Sequence, residues 1–367
     1  MKQELYRIRF GTDDVTAYLD TDTNSILLPL DRQADVLSTA IVNGGLRRDL
    51  ALVFNHTCSP QECYMLADTY EAHMRELMRR NGFDPSDSVG MTTAANVSHC
   101  AFAECTYESL SVTALVTAGI DHNGGRAGDP CPIYDPAGNP AHPKPGTINI
   151  ILVINAALSA GTMERALVMC TEAKTAALQE LMAGSCFSHG IATGSGTDQT
   201  VLVANPDSEL YFEHAGKHSK LGELIGRSVI QAVKEALNLE TGLNAERQFR
   251  VLSRLKRYGV SEESMMRSYR SKSGSSESDT RLKKAVDEVD QSDRLVCYTS
   301  MFVHLLDQAE WGILPFQCAS DIAAELMEQI CGKTYARVGQ SLSQEDLLET
   351  WQCALMSTVF IKNTDQT

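Results

Sequence analysis

Two apolar runs constrain this chain more than anything else in it: "LSVTALVTAGI" at residues 110–120 and "GTINIILVINAAL" at residues 146–158. Successive residues of a strand point to opposite faces, and in both runs the two alternating sets are apolar. A strand of that kind must be covered on both sides. Fully burying one Val, Leu or Ile is worth about 1.5–3 kcal/mol relative to leaving it exposed, so neither run can lie on a surface. Both are far shorter than the roughly 20 residues of a membrane helix. The chain therefore needs a sheet as an inner layer.

The remaining segments supply the cover. "LYRIRF", "VTAYLD" and "SILLPL" have strand composition and are separated by Gly, Asp, Thr and Asn turns. "SPQE" predicts a helix from Ser59, with Pro60 at its first position and Glu62 closing a capping box. It should run to about Arg80, where Asn81-Gly82 ends it. A second helix is expected over 161–182, then a strand "QTVLVAN", then a helix from Ser219 through "KLGELIGRSVIQAVKEAL". Interspersed strands and helices predict a layered α/β (α+β) fold: a mixed sheet with covering helices, whose strand order local pattern does not fix. Beyond Asn244 the chain reads as helical, with a polar serine-rich hinge, "SKSGSSESD", at 271–279. The expected division is a domain at 1–243, a helix and hinge at 244–280, and a helical region at 281–367.

The formal net charge is −15, which argues against a nucleic-acid partner, since such proteins need a basic face to displace counterions. The opening "MKQELYRIRFGTDD" has no apolar signal-peptide core, so a cytoplasmic protein without a membrane partner is expected. The 11 cysteines include no C-x-x-C pair; Cys58/Cys63 and Cys100/Cys105 are wider spaced. Buried reduced thiols are expected, not a metal or disulfide framework.

Four places carry chemistry. The stretch "IATGSGTDQTVLVAN" (191–205) lacks the lysine of a Walker phosphate loop, and a strand follows its glycines where a dinucleotide fingerprint needs a helix. A strand-entry turn explains the glycines. Ser195, Thr197 and Asp198 add two hydroxyls and a carboxylate that a turn does not require. His218 precedes the helix cap Ser219, where the positive end of the helix dipole favours the neutral imidazole that a general base needs; a solvated loop histidine is the plain alternative. On the 161–182 helix Lys174 lies on the apolar stripe of Met163, Leu167, Cys170, Ala177 and Leu181, whereas Glu172 points almost the opposite way. A lysine there must be paired, used, or snorkelling to water. Finally "GIDHNGGRAGDP" (119–130) sets Asp121, His122, Asn123, Arg126 and Asp129 around glycines after an interior strand, a common place for ligands. Asp121, His122 and Asp129 are candidate metal ligands without diagnostic spacing, and no protein-bound metal or cofactor is expected.

Taken in order, "LSTAIVNGGL", "MTTAA", "NGGRAGDP", "GTINIILVINA", "TEAK", "ATGSGTD" and "GKHSKLGELIG" resemble the adenosylcobinamide amidohydrolases of cobinamide salvage. The resemblance covers roughly residues 35–240, and Ser195 stands where a second threonine is expected. It implies hydrolysis of the amide that joins the cobyric acid carboxyl to its aminopropanol arm, giving adenosylcobyric acid. The corrinoid is then a small-molecule substrate and its cobalt is cargo. The chemistry asks for a nucleophile, oxyanion donors and an acid for the departing amine. The expected assignment makes His218 the base and then the acid, with Asp198 orienting it or a water. Backbone amides of Gly194, Ser195, Gly196 and Thr197, with Lys174, would hold the oxyanion. Thr197 as covalent nucleophile is a second version. Asn123, Arg126 and Asp129, with Glu172, are expected at the substrate. A corrinoid-binding module without hydrolysis, and a hydrolase of complete cobamides, are the competing readings.

Overall fold

The structure is a computed structural model. It describes residues 1–11, 13–30, 33–59, 62, 67–131, 145–334 and 343–364, with the side chains at 67, 68 and 362–364 excepted. The chain forms two compact units, Met1–Asn244 and Ala245–Thr367. The first unit opens with β1 (Lys2–Arg9), β2 (Asp14–Asp20), β3 (Ser25–Pro29), β4 (Asp35–Ser38), β5 (Gly45–Arg47) and β6 (Leu52–Thr57). Helix α1 (Ala67–Arg80), β7 (Ser88–Thr93), β8 (Ala101–Tyr107), β9 (Leu110–Gly119), β10 (Gly124–Gly125), β11 (Thr147–Ile154) and β12 (Ala157–Leu158) follow. Then come α2 (Ala160–Glu180), β13 (Gly194–Ser195), β14 (Gln199–Ala204), β15 (Tyr211–Phe212) and α3 (Lys220–Thr241).

The two apolar runs are β9 and β11, interior neighbours in a six-stranded sheet of order β5-β4-β14-β11-β9-β8. Its pairing is mixed: β11 and β14 run parallel, whereas β9 and β4 lie antiparallel to their neighbours. Each face of β11 is buried by a different partner. Ile148, Ile150, Leu152 and Ile154 pack with residues of α2 and α3, including Cys170, Ala173, Leu224 and Val233. Ile151 and Val153 pack instead with Ile26, Val53 and Val89 of a second sheet, ordered β1-β2-β3-β6-β7. That sheet is covered on its far side by α1, whose Met74, Leu77 and Met78 meet Leu27, Leu52 and Phe54. The unit is thus four layers deep, helix, sheet, sheet, helix, and the inner-layer requirement of the two runs is met twice over.

Local signals place most ends. Ser59 and Glu62 exchange the capping-box bonds, with the Ser59 N–H donating to Glu62 Oε2 at 2.6 Å; residues 60–61 and 63–66 lie outside the described residues. Gly82, at φ +85°, follows the end of α1. Ser219 caps α3 by accepting from the Gly222 N–H at 3.0 Å. The two sheets are also joined by polar groups. Asn149 on β11 donates to Asn55 Oδ1 (2.9 Å) and to the Thr92 carbonyl (2.7 Å), and Asn55 donates to Thr117 Oγ1 (2.9 Å). Burial pushes the thiols of Cys100 and Cys170 up to about 12, so both stay protonated.

The second unit comprises α4 (Ala245–Gln248), α5 (Val251–Leu255), α6 (Glu262–Ser273), α7 (Asp279–Asp290), α8 (Asp293–Glu310), α9 (Phe316–Cys331) and α10 (Gln344–Thr364). Its regular elements among the described residues are all helical, and it has its own core, in which the rings of Phe302 and Trp351 stack at 4.1 Å. The serine-rich stretch expected as a hinge between regions joins α6 to α7 inside this one core, with Gly274 ending the first helix and Ser278 capping the second. Arg257 donates to both oxygens of Asp307 at 2.5 Å, and the Tyr258 hydroxyl adds a third bond at 2.8 Å.

Candidate active site

Asp198 stands at the entry to β14, one step before that strand begins to pair with β11. Its carboxylate accepts four hydrogen bonds. Oδ1 takes the Ile148 N–H (2.9 Å) and the Ser195 hydroxyl (2.6 Å). Oδ2 takes the Ser195 N–H (2.9 Å) and the Lys174 ammonium. Lys174 therefore does what its place on the apolar stripe requires: it is nine-tenths buried and paired. Gly194 is needed between these groups, because a Cβ there would sit 2.3 Å from Asp198 Oδ2 and 2.7 Å from Lys174 Nζ.

The neighbouring loops are drawn in by backbone pairing. Gly124 and Gly125 of β10 lie antiparallel to Ser195 and Gly194 of β13, which brings the "NGGRAGD" loop beside the "GSGTD" loop. Gly146, at φ +145°, accepts from Thr197 Oγ1 at 3.0 Å and from the buried Asn123 amide. Asn123 therefore holds the frame of the site. The Asp129 carboxylate accepts from the Arg126 N–H (2.7 Å) and the Ser185 hydroxyl (2.6 Å). Burial works against its ionised form, but these bonds outweigh it and hold its pKa below the usual carboxylate range. Among the described residues, Asp121, His122 and Asp129 do not gather as a metal set. Residues 132–144 of the long loop lie outside the described residues.

A hollow of about 360 Å³ opens at this end of the sheets. Gly196, Thr197 and Asp198 form part of its wall; Gly146 and Thr147, Thr92 and Thr93, Tyr70, Cys58 and Glu62 complete much of the rest. It lies where strand ends of both sheets meet, so its walls are hydroxyls and backbone while the apolar layers stay behind it.

His218 is elsewhere. It is exposed and lines a separate hollow of about 550 Å³ with Arg165, Glu213, His214 and Lys217. Glu172, roughly 200° around α2 from Lys174, is an exposed charge paired with Lys217. The structure thus gathers Lys174, Gly194, Ser195, Gly196, Thr197 and Asp198, sets Asn123 beside them and Arg126 and Asp129 at the flank, and leaves His218 and Glu172 at another surface. The Asp198–His218 partnership expected from the sequence is not formed: the two residues line different hollows, and Ser195, Ile148 and Lys174 are the donors to the carboxylate. Conversely, Tyr70 and the Asn55–Asn149 bridge are not singled out by the sequence, and Glu62 reads there only as a capping-box residue. Asn55 and Asn149 were the available signal: each is a buried amide set among the apolar residues of its strand.

The first unit is a layered α/β frame whose hydroxyl-lined hollow is backed by a buried carboxylate–ammonium pair, an arrangement compatible with a hydrolase. The comparisons make the class particular: the chain belongs to the adenosylcobinamide amidohydrolase (CbiZ) family, whose sequence model matches residues 10–245. An adenosylcobinamide amidohydrolase of Methanosarcina mazei is 31% identical over 46% of this chain and 75% of its own length. An uncharacterised protein of Methanocaldococcus jannaschii is 33% identical over 59% of this chain and 86% of its own. Among solved structures, a Burkholderia β-aminopeptidase overlaps 65% of this chain and 84% of its own at 13% identity and a TM-score of 0.31, too faint a likeness to inform the chemistry.

Proposed function

We propose that this protein hydrolyses the amide between the cobyric acid carboxyl and the aminopropanol arm of adenosylcobinamide. Water adds across the C–N bond, leaving adenosylcobyric acid as a carboxylate and releasing the amine. The observation that carries this reading is the joint placement of Thr197 and Asp198 on one hollow, in a chain of the amidohydrolase family. A 360 Å³ space is at the small end of ligand sites, roughly 300–1,000 Å³. It suits the amide-bearing arm, with the bulk of the corrin outside.

Amide hydrolysis needs the reacting groups held to within a fraction of an ångström. Asp198 and Lys174 are positioning residues in this reading: they pin the 194–198 loop to α2 and to the first rungs of β11. Thr197 is the group assigned to the substrate, with its hydroxyl within reach of the amide or of the attacking water. Incubating purified protein with adenosylcobinamide and measuring released aminopropanol tests the proposal. Stoichiometric release is expected, with complete cobamides cleaved more slowly. Corrinoid binding without release would overturn hydrolysis, and preferential release from complete cobamides would overturn the substrate.

A further inference from the structure

Behind the wall of the same hollow lies a group of side chains that the amide-cleavage reading does not use. His56 is on β6, His73 is on α1, and Glu62 lies in the segment that joins them. One ligand atom from each lies within 4.8 Å of the other two. Glu62 Oε2 is 3.7 Å from His56 Nε2, and Glu62 Oε1 is 3.4 Å from His73 Nε2. Among the described residues neither imidazole Nε2 has a hydrogen-bond partner, although both atoms are buried. The His56 side chain is only 7% exposed and that of His73 16%.

The protonation of His56 follows from its other nitrogen. Its Nδ1 lies 2.9 Å from the Thr23 carbonyl and 3.2 Å from Ser25 Oγ, and the Ser25 hydroxyl already donates to that same carbonyl at 3.0 Å. Both neighbours must therefore accept, so Nδ1 carries the proton and Nε2 presents a lone pair towards Glu62. Glu62 Oε2 accepts the Ser59 N–H at 2.6 Å, so that side chain too is held in place. A lone pair and a carboxylate thus face one another across a buried gap with no donor from His56 between them. A buried acceptor left without a donor is destabilising, and a bound cation removes that cost.

We propose that His56, Glu62 and His73 form a site for a divalent metal ion, zinc by the character of the donors. Two imidazole nitrogens and a carboxylate are a zinc set, with bonds of about 2.0–2.2 Å. Tetrahedral bonds of that length put neighbouring donors about 3.4 Å apart, close to the two separations found here. A ligating histidine usually donates its second N–H to a backbone carbonyl, as His56 does to Thr23. Three protein ligands leave a fourth position for water, which is the form of reactive sites more than of closed structural ones. Glu62 and Cys58 line both the 360 Å³ hollow and a neighbouring one of about 260 Å³, which His56 also lines, so an ion can reach the site from solvent. This site departs from the expectation of a metal-free protein, and it does not depend on which amide is cleaved.

The test is metal uptake by the full-length protein, stripped with a chelator and then titrated with Co²⁺ and Zn²⁺. One equivalent of Co²⁺ is expected, with the visible d–d bands of a four- or five-coordinate ion and no thiolate charge-transfer band; Zn²⁺ should displace it. Glu62→Gln and His73→Gln should each weaken binding by about ten-fold or more. If His73→Gln does not fold, thermal unfolding of the wild type and of Glu62→Gln with and without Zn²⁺ gives the same information, since an ion that binds only the folded state raises its midpoint. No uptake, unchanged affinity in Glu62→Gln, or a thiolate band would overturn the site. Amide cleavage is scored separately, so either proposal can fail alone.

Discussion

Four donors converge on the Asp198 carboxylate, and that crowding decides what the residue can do. With its oxygens engaged by Ser195, Ile148 and Lys174, it is a fastening point for the loop that carries Thr197. Asp198→Ala should leave the buried Lys174 unpaired and let the loop drift, and a misplacement of about 1 Å is worth on the order of 10²-fold in rate. We expect aminopropanol release to fall at least that far while corrinoid binding persists. His218→Ala should stay within ten-fold of wild type. A general base contributes about 10²–10⁴-fold, so a loss of that size in His218→Ala would return the histidine to the mechanism. At this scale the sequence was legible where a side chain was out of place, as Lys174 is on its apolar stripe. It was illegible for His56, Glu62 and His73, which lie on a strand, a connecting segment and a helix at spacings that match no short metal motif.

Elements were legible where one face or both are buried by pattern. The strands at 110–120 and 146–158 declare themselves, and α3 starts at its serine cap, because those signals are local. The order of the sheets was not, since β4 reaches β14 across most of the first unit and only tertiary packing decides such pairings. Gly222 and Gly226 illustrate both cases. Each reads from sequence as a packing glycine of α3, yet the structure separates them. A Cβ on Gly222 would lie 2.1 Å from the rigid backbone oxygen of Gly216, whereas one on Gly226 would meet only the flexible end of Met169 at 3.3 Å. Gly222→Ala should cost about 1–3 kcal/mol, a drop in unfolding midpoint of roughly 2–4 °C per kcal/mol for a unit of this size. Gly226→Ala should be close to neutral. Equal midpoints in the two variants would refute this account of the α3 entry.

For the whole molecule, the division falls at Asn244, and the family match ends beside it. The hollow, the Asp198–Lys174 pair and the His56–Glu62–His73 group all belong to the first unit, while the second builds its core around Phe302 and Trp351. A chain ending at Asn244 should therefore fold and release aminopropanol at the full-length rate; a soluble but inactive 1–244 chain would show that the helical unit takes part in turnover. The second unit was legible as helical, but its packing as one core around the serine-rich turn was not, because nothing local in "SKSGSSESD" separates a turn between packed helices from a free linker.

The contact between Asp198 Oδ1 and the Ile148 N–H makes a side chain stand in for a strand carbonyl at the open end of the β11–β14 seam. The end of the strand seam and the loop that carries Thr197 thus share one residue, so a change that loosens Asp198 loosens both.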